Sequence, residues 1–157
     1  KTPGPKFVFM HVISPHPPFV FGPDGQPTDP ALFYNEDDKI TSTMYTEGYT
    51  NQVTYINKRV EEAMQTIING SKIPPVIIIQ GDHGPWMVPD NKRFWILNAY
   101  YLPGHNDQLY PTISPVNSFR MVLNDFLGTD YPLLADKSYF SPIPYIYDFK
   151  PSGNPCK

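Results

Sequence analysis

The sequence predicts an α/β protein with a mostly parallel sheet, and three stretches carry that expectation. The run Pro75-Val-Ile-Ile-Ile-Gln-Gly81 holds four consecutive β-branched residues, Val76 to Ile79. Such a run reads as a strand buried on both faces, too short and too branched to prefer a helix. A second apolar run, Lys6-Phe-Val-Phe-Met-His11, reads as another strand. Between them, from about Glu47 to Asn69, Val53, Ile56, Val60, Met64 and Ile67 recur at helical spacing and Gly70 supplies a stop. A helix between two strands is the crossover that a right-handed βαβ unit requires, with its stripe packed on the sheet.

The first strand runs into Val12-Ile-Ser-Pro-His16-Pro-Pro-Phe19, where the prolines hold the chain extended and display His16 on a stiff loop. Gly22 to Pro30 is rich in turn formers and reads as a surface loop. The stretch Phe33 to Ser42 continues it. Its acids Glu36, Asp37 and Asp38 fit a solvated loop better than a calcium site. Asn69-Gly-Ser71 matches a glycosylation sequon, a short motif that the helix end also explains.

Downstream, Arg93 to Leu102 reads as a third strand, ended by Pro103-Gly104. Ser114-Pro115 is a helix start, with Val116, Phe119, Leu123 and Phe126 as the buried face and Gly128 as the end. Arg120 reads as a structural ion-pair partner, and His105 as a solvated loop histidine that could approach a site. The tail from Tyr139 is aromatic and proline-rich, with an edge strand expected near Tyr145 to Phe149.

Composition bounds the function classes. The 157 residues, 40% hydrophobic and 15% aromatic, supply one core and suit one domain. The net charge of −3, with no basic cluster, gives no case for nucleic acid. No apolar run approaches the ~18 residues of a membrane span, and no signal peptide is visible. Cys156 is the sole cysteine and cannot form an internal disulfide.

The chemistry gathers at the strand ends. Asp82 and His83 stand side by side just beyond the second strand, and His11 and His16 stand at or just past the end of the first. In open α/β sheets, ligands bind beyond the carboxyl ends of the strands. A carboxylate oxygen and an imidazole nitrogen together suit a divalent cation such as zinc or manganese. Alone, Asp82-His83 is equally a turn with a capping acid; the two upstream histidines favour an assembled site near one sheet edge.

Strand, His-x4-His-x-Pro, long helix, apolar strand and Asp-His-Gly resembles the C-terminal half of the alkaline phosphatase/sulfatase superfamily. It is most similar to bacterial membrane-associated sulfatase-like proteins, such as lipoteichoic acid synthases and phosphoethanolamine transferases. The resemblance covers roughly residues 6–128. It implies a three-layer α/β/α alkaline phosphatase-like fold with a mostly parallel sheet, of which residues 1–157 would be the C-terminal portion of the catalytic domain.

It further implies a metal-dependent hydrolase or transferase of phosphate or sulfate esters, small or lipid-linked. Asp82 and His83 match the pair that ligates a divalent metal: zinc or manganese, with calcium or magnesium as alternatives. His16 matches a histidine that reaches the substrate phosphate or sulfate, or a second metal; His11 matches a further site histidine found in the phosphoethanolamine transferases. Many relatives place another histidine about a dozen residues after Asp-His-Gly, but Pro85 to Arg93 holds none.

The family nucleophile and its acidic neighbours lie upstream of the matched region. This piece is therefore expected to bind metal weakly and to be inactive alone, and the complete protein to be extracytoplasmic, with membrane contact only through upstream segments. The competing reading is a non-catalytic sulfatase-like module that binds metal or anion. Oligomeric state is not legible.

Overall fold

A computed structural model describes residues 3–30, 40–87 and 90–152. The acids Glu36, Asp37 and Asp38, and Cys156, lie outside those residues. The chain resolves into two compact units, residues 1–64 and 65–157.

In the first unit, a loop folds onto the N-terminal part of helix α1, Ser42–Gly70. The helix begins five residues before the expected Glu47, because the Thr41 hydroxyl accepts the Met44 N–H at 3.2 Å and caps the first turn. Its buried positions are Tyr45, Gly48 and Gln52, one face at helical spacing. Phe19, fully buried, lies on that face with its ring edge-on to Tyr45 at 5.2 Å. Gly48 leaves the room: a Cβ there would run into the Phe19 ring. The expected stripe sits beside this face, with Val53, Ile56, Val60 and Met64 half-buried and Ile67 half exposed.

The strand expected over Lys6 to His11 does not form. Phe7, Val8, Phe9 and Met10 are 68–80% exposed, and no strand pairs with them among the described residues. Apolar content alone does not make a strand. The backbone groups need a partner edge.

In the second unit, β1 (Ile77–Gln80) pairs with β2 (Asn98–Tyr101), from Ile77 opposite Tyr101 to Gln80 opposite Asn98. The pairing is antiparallel, so the expected parallel sheet does not form among the described residues. The described residues form two two-stranded antiparallel ribbons and no three-layer α/β/α arrangement. The physical reason is the connection: the described residues between Gly81 and Leu97 hold one 3-10 helix, Asp90–Phe94, and no longer element. Parallel neighbours need a long crossover, usually a helix. That 3-10 helix also explains why the third strand starts at Asn98 and not at Arg93.

Helix α2, Pro115–Leu127, follows the expected Ser114-Pro115 start, and Gly128 ends it in the left-handed conformation (φ 67°). Its buried face differs from the expected one. Val116 and Phe119 are 43% and 51% exposed, whereas Asn117, Ser118 and Met121 are buried. Polar partners explain the rotation. The Ser118 and Tyr100 hydroxyls are 2.6 Å apart, which ties α2 to β2. Asn117 donates to the Leu134 carbonyl and accepts from its N–H, both at 2.9 Å.

Asp136 completes this polar core. It accepts from the Ser114 N–H at 2.8 Å, the Ser114 hydroxyl, the Tyr110 hydroxyl at 2.6 Å and the Asn117 amide at 3.1 Å. Burial pushes its carboxyl up, but the four donors outweigh burial and hold it below the usual carboxylate range. Tyr110 moves the other way, raised by burial and by its bond to the same carboxylate. Arg120 donates to the Pro132 carbonyl at 3.1 Å and has no ion-pair partner among the described residues. In the tail, β3 (Ser138–Phe140) pairs antiparallel with β4 (Lys150–Ser152), so the strands flank Tyr145 to Phe149 and do not include it.

A depressed Asp136 contributes stability that is fully present above the unfolded carboxyl pKa and is lost as pH falls through the lower folded value. Acid titration of unfolding from about pH 5 to about pH 2 should show a loss that Asp136→Asn reduces. Asn117→Ala should cost about 1–3 kcal/mol at neutral pH, because it strands the Leu134 amide and carbonyl. A neutral-pH cost below a few tenths of that would mean the network is not structural.

Candidate functional site

Asp82 and His83 sit where the β1–β2 ribbon opens. The ribbon is closed by the Gly81 N–H donating to the Leu97 carbonyl at 2.8 Å, and the Gly84 N–H donates to the Arg93 carbonyl at 2.6 Å. The dipeptide is thus held by a backbone bond on each side. Its glycine is required by proximity. A Cβ on Gly84 would lie 2.8 Å from the Lys92 carbonyl oxygen and 3.2 Å from the Arg93 Cα.

Each side chain of the pair has one atom committed and one left over. Asp82 Oδ1 accepts its neighbour's backbone N–H, that of His83, at 2.9 Å. His83 Nδ1 lies 2.7 Å from the Gly84 carbonyl. A carbonyl only accepts, so Nδ1 carries the proton and the Nε2 lone pair is free in the neutral ring. The two leftover atoms, Asp82 Oδ2 and His83 Nε2, stand 3.7 Å apart. An ion bound ~2.1 Å from each at a tetrahedral angle would set them ~3.4 Å apart, so the pair fits a divalent metal with a small adjustment. Asp82 is 86% exposed and leaves the remaining coordination positions open to solvent or substrate. No group of three or more His, Cys, Asp or Glu side chains gathers around a point among the described residues.

Trp86 walls the site. Its ring meets His83 edge-on at 5.7 Å, and the Arg93 guanidinium lies over it at 4.1 Å.

His16 belongs to the first unit. Its Nδ1 donates to the Pro17 carbonyl at 2.6 Å, which leaves Nε2 as an acceptor in the neutral ring and a donor once protonated. The ring is exposed. Its loop is pinned by the buried Gln52, which donates to the His16 carbonyl at 3.3 Å and accepts the Val20 N–H at 2.9 Å. His11 is exposed and carries no hydrogen bond among the described residues. His105 is not merely a solvated loop residue: its Nδ1 is 3.8 Å from Asp125 Oδ2 and its ring is 4.7 Å from Phe126.

Sequence reasoning missed Gln52, Trp86 and Arg93 as site residues. Gln52 carried a signal, a polar residue four positions from Gly48 on the face that also bears Tyr45. The other two carry none, since only folding brings residues 86 and 93 together.

The sulfatase family model matches residues 1–117. No curated protein and no solved structure matches the chain.

Gln52→Leu should destabilise the first unit by about 1–3 kcal/mol, because it leaves the Val20 amide unpaired. It should also speed hydrogen exchange at that amide. Unchanged exchange at Val20 would show that the loop is held by other means.

Proposed function

Since the chain belongs to the sulfatase family, we propose that it carries the Asp82-His83 metal pair of an enzyme that hydrolyses or transfers sulfate or phosphate esters. The observation that carries this reading is the pair's geometry: two leftover ligand atoms 3.7 Å apart, each held in place by a backbone bond on its partner atom or ring nitrogen. A turn that merely used Asp82 as a cap would not need His83 in the tautomer that frees Nε2.

Asp82 and His83 would hold a zinc or manganese ion, which when bound supplies Lewis acidity toward the ester oxygen. The chain's own residues position it. The Gly84 carbonyl keeps the His83 proton on Nδ1, and the His83 N–H keeps the Asp82 carboxylate turned. His16 is assigned to the oxyanion of the substrate, as a donor when protonated at Nε2, with His11 in a supporting role. That assignment rests on the His-x4-His-x-Pro pattern. The finer likeness to bacterial membrane-associated transferases rests on the same motifs and supports a lipid-linked ester and an extracytoplasmic setting. No helix among the described residues is long and apolar enough to cross a membrane.

Assayed in the complete protein with aryl sulfate and aryl phosphate, Asp82→Asn should weaken zinc binding by roughly tenfold or more and remove turnover. His16→Ala should leave zinc affinity unchanged while slowing turnover by roughly a hundred- to a thousand-fold. Turnover that is indifferent to Asp82→Asn would place the site elsewhere.

A further inference from the structure

Arg93 is held in an unusual state for a surface arginine. Its guanidinium lies 4.1 Å from the centroid of Trp86, a ring that also meets the His83 ring at 5.7 Å. Its Nε is shielded from solvent and has no hydrogen-bond partner. No carboxylate pairs with the side chain among the described residues, and the Arg93 carbonyl accepts the Gly84 N–H. That backbone bond carries residue 93 to within one residue of His83, and the absence of a Cβ at Gly84 is what lets it approach. The result is a cation stacked on the indole that also meets the His83 ring, with no carboxylate partner among the described residues.

We propose that Arg93 is the anion-binding residue of this site. Its guanidinium contacts a tetrahedral oxyanion, the sulfate or phosphate group of the ester, on the Trp86 side of Asp82-His83. The inference rests on the reading of Asp82-His83 given above and adds to it the group that orients the substrate. Arginine suits the task because the outer edge of its planar guanidinium offers a fork of two Nη N–H groups side by side to two oxygens of one tetrahedral group. Stacking on Trp86 holds the plane of that fork before substrate arrives, so little side-chain freedom is lost on binding. An arginine whose only role was packing would more readily be found with its donors paired or in water. No metal takes part in this contact, and the proposal can be tested without one.

The experiment is calorimetric titration of the metal-free protein with inorganic sulfate and, separately, inorganic phosphate at low ionic strength. Native protein, Arg93→Lys, Arg93→Gln and Trp86→Leu are compared, each with its thermal unfolding curve and its zinc affinity. The native protein should bind at least one anion, and the tighter of the two identifies the ester class. Arg93→Lys keeps the charge and the stem but loses the fork, and should weaken anion binding by roughly tenfold or more. Arg93→Gln should abolish it, and Trp86→Leu should weaken it. Zinc affinity should stay unchanged in both Arg93 variants, which separates this result from any failure of the Asp82-His83 reading. If native protein binds neither anion at millimolar concentrations, or if Arg93→Lys and Arg93→Gln bind as tightly as native, the proposal is overturned. A loss of binding accompanied by unfolding counts only through Arg93→Lys, the variant that preserves packing.

Discussion

The bond from the Gly84 N–H to the Arg93 carbonyl, 2.6 Å long, is the constraint on which the candidate site depends. It joins Gly84 to Arg93 at the mouth of the β1–β2 ribbon. Nearby, Trp86 contacts both His83 and Arg93, and the Gly84 carbonyl receives the His83 Nδ1 proton. A side chain at residue 84 would meet the Lys92 carbonyl oxygen at 2.8 Å and force the segments apart. The glycine of Asp-His-Gly is thus a packing requirement with a chemical consequence, since the tautomer of His83 and the place of Arg93 both follow from it.

The surroundings are built from hydrogen bonds more than from apolar burial. Among the described residues few hydrophobic side chains are fully buried, while Gln52, Asn117 and Ser118 are. Buried amides left unpaired are costly, so each of these residues selects one arrangement of the backbone around it. Gln52 selects the His16 loop; Asn117 and Asp136 select the path of residues 131–136 along α2. In both units, a buried polar residue on a helix disciplines a loop that lacks regular structure of its own. The exposed apolar surface at Phe7 to Met10 is the counterpart, a segment with strand composition and no pairing edge.

How much of this was legible follows from the range of each interaction. Local signals were read well. The Ser114-Pro115 start, the Gly128 stop, the long first helix and the strand before Asp82-His83 all depend on residues near in sequence. Asp-His-Gly stands out in the sequence because it is three adjacent residues at a strand end. What failed was long-range. The sheet was expected to be parallel because four β-branched residues suggest burial on both faces, yet β1 is only half-buried and pairs antiparallel with its successor. The buried face of α2 was misread because apolar residues were assumed to point inward, and Asn117 and Ser118 carry partners 17 to 18 residues away. Arg93 was read as the start of the third strand and as the end of a stretch without histidine, with no role in the site. Its stacking on Trp86 is a property of the folded loop.

The central claim is that Asp82 and His83 together ligate the metal. X-ray absorption at the zinc edge of zinc-loaded protein tests it most directly, because imidazole leaves a distinct scattering signature from its outer ring atoms. The account predicts a coordination shell of nitrogen and oxygen at about 2.0–2.2 Å containing one imidazole, with that signature lost in His83→Ala and retained in His16→Ala. An imidazole signature that survives His83→Ala would contradict it.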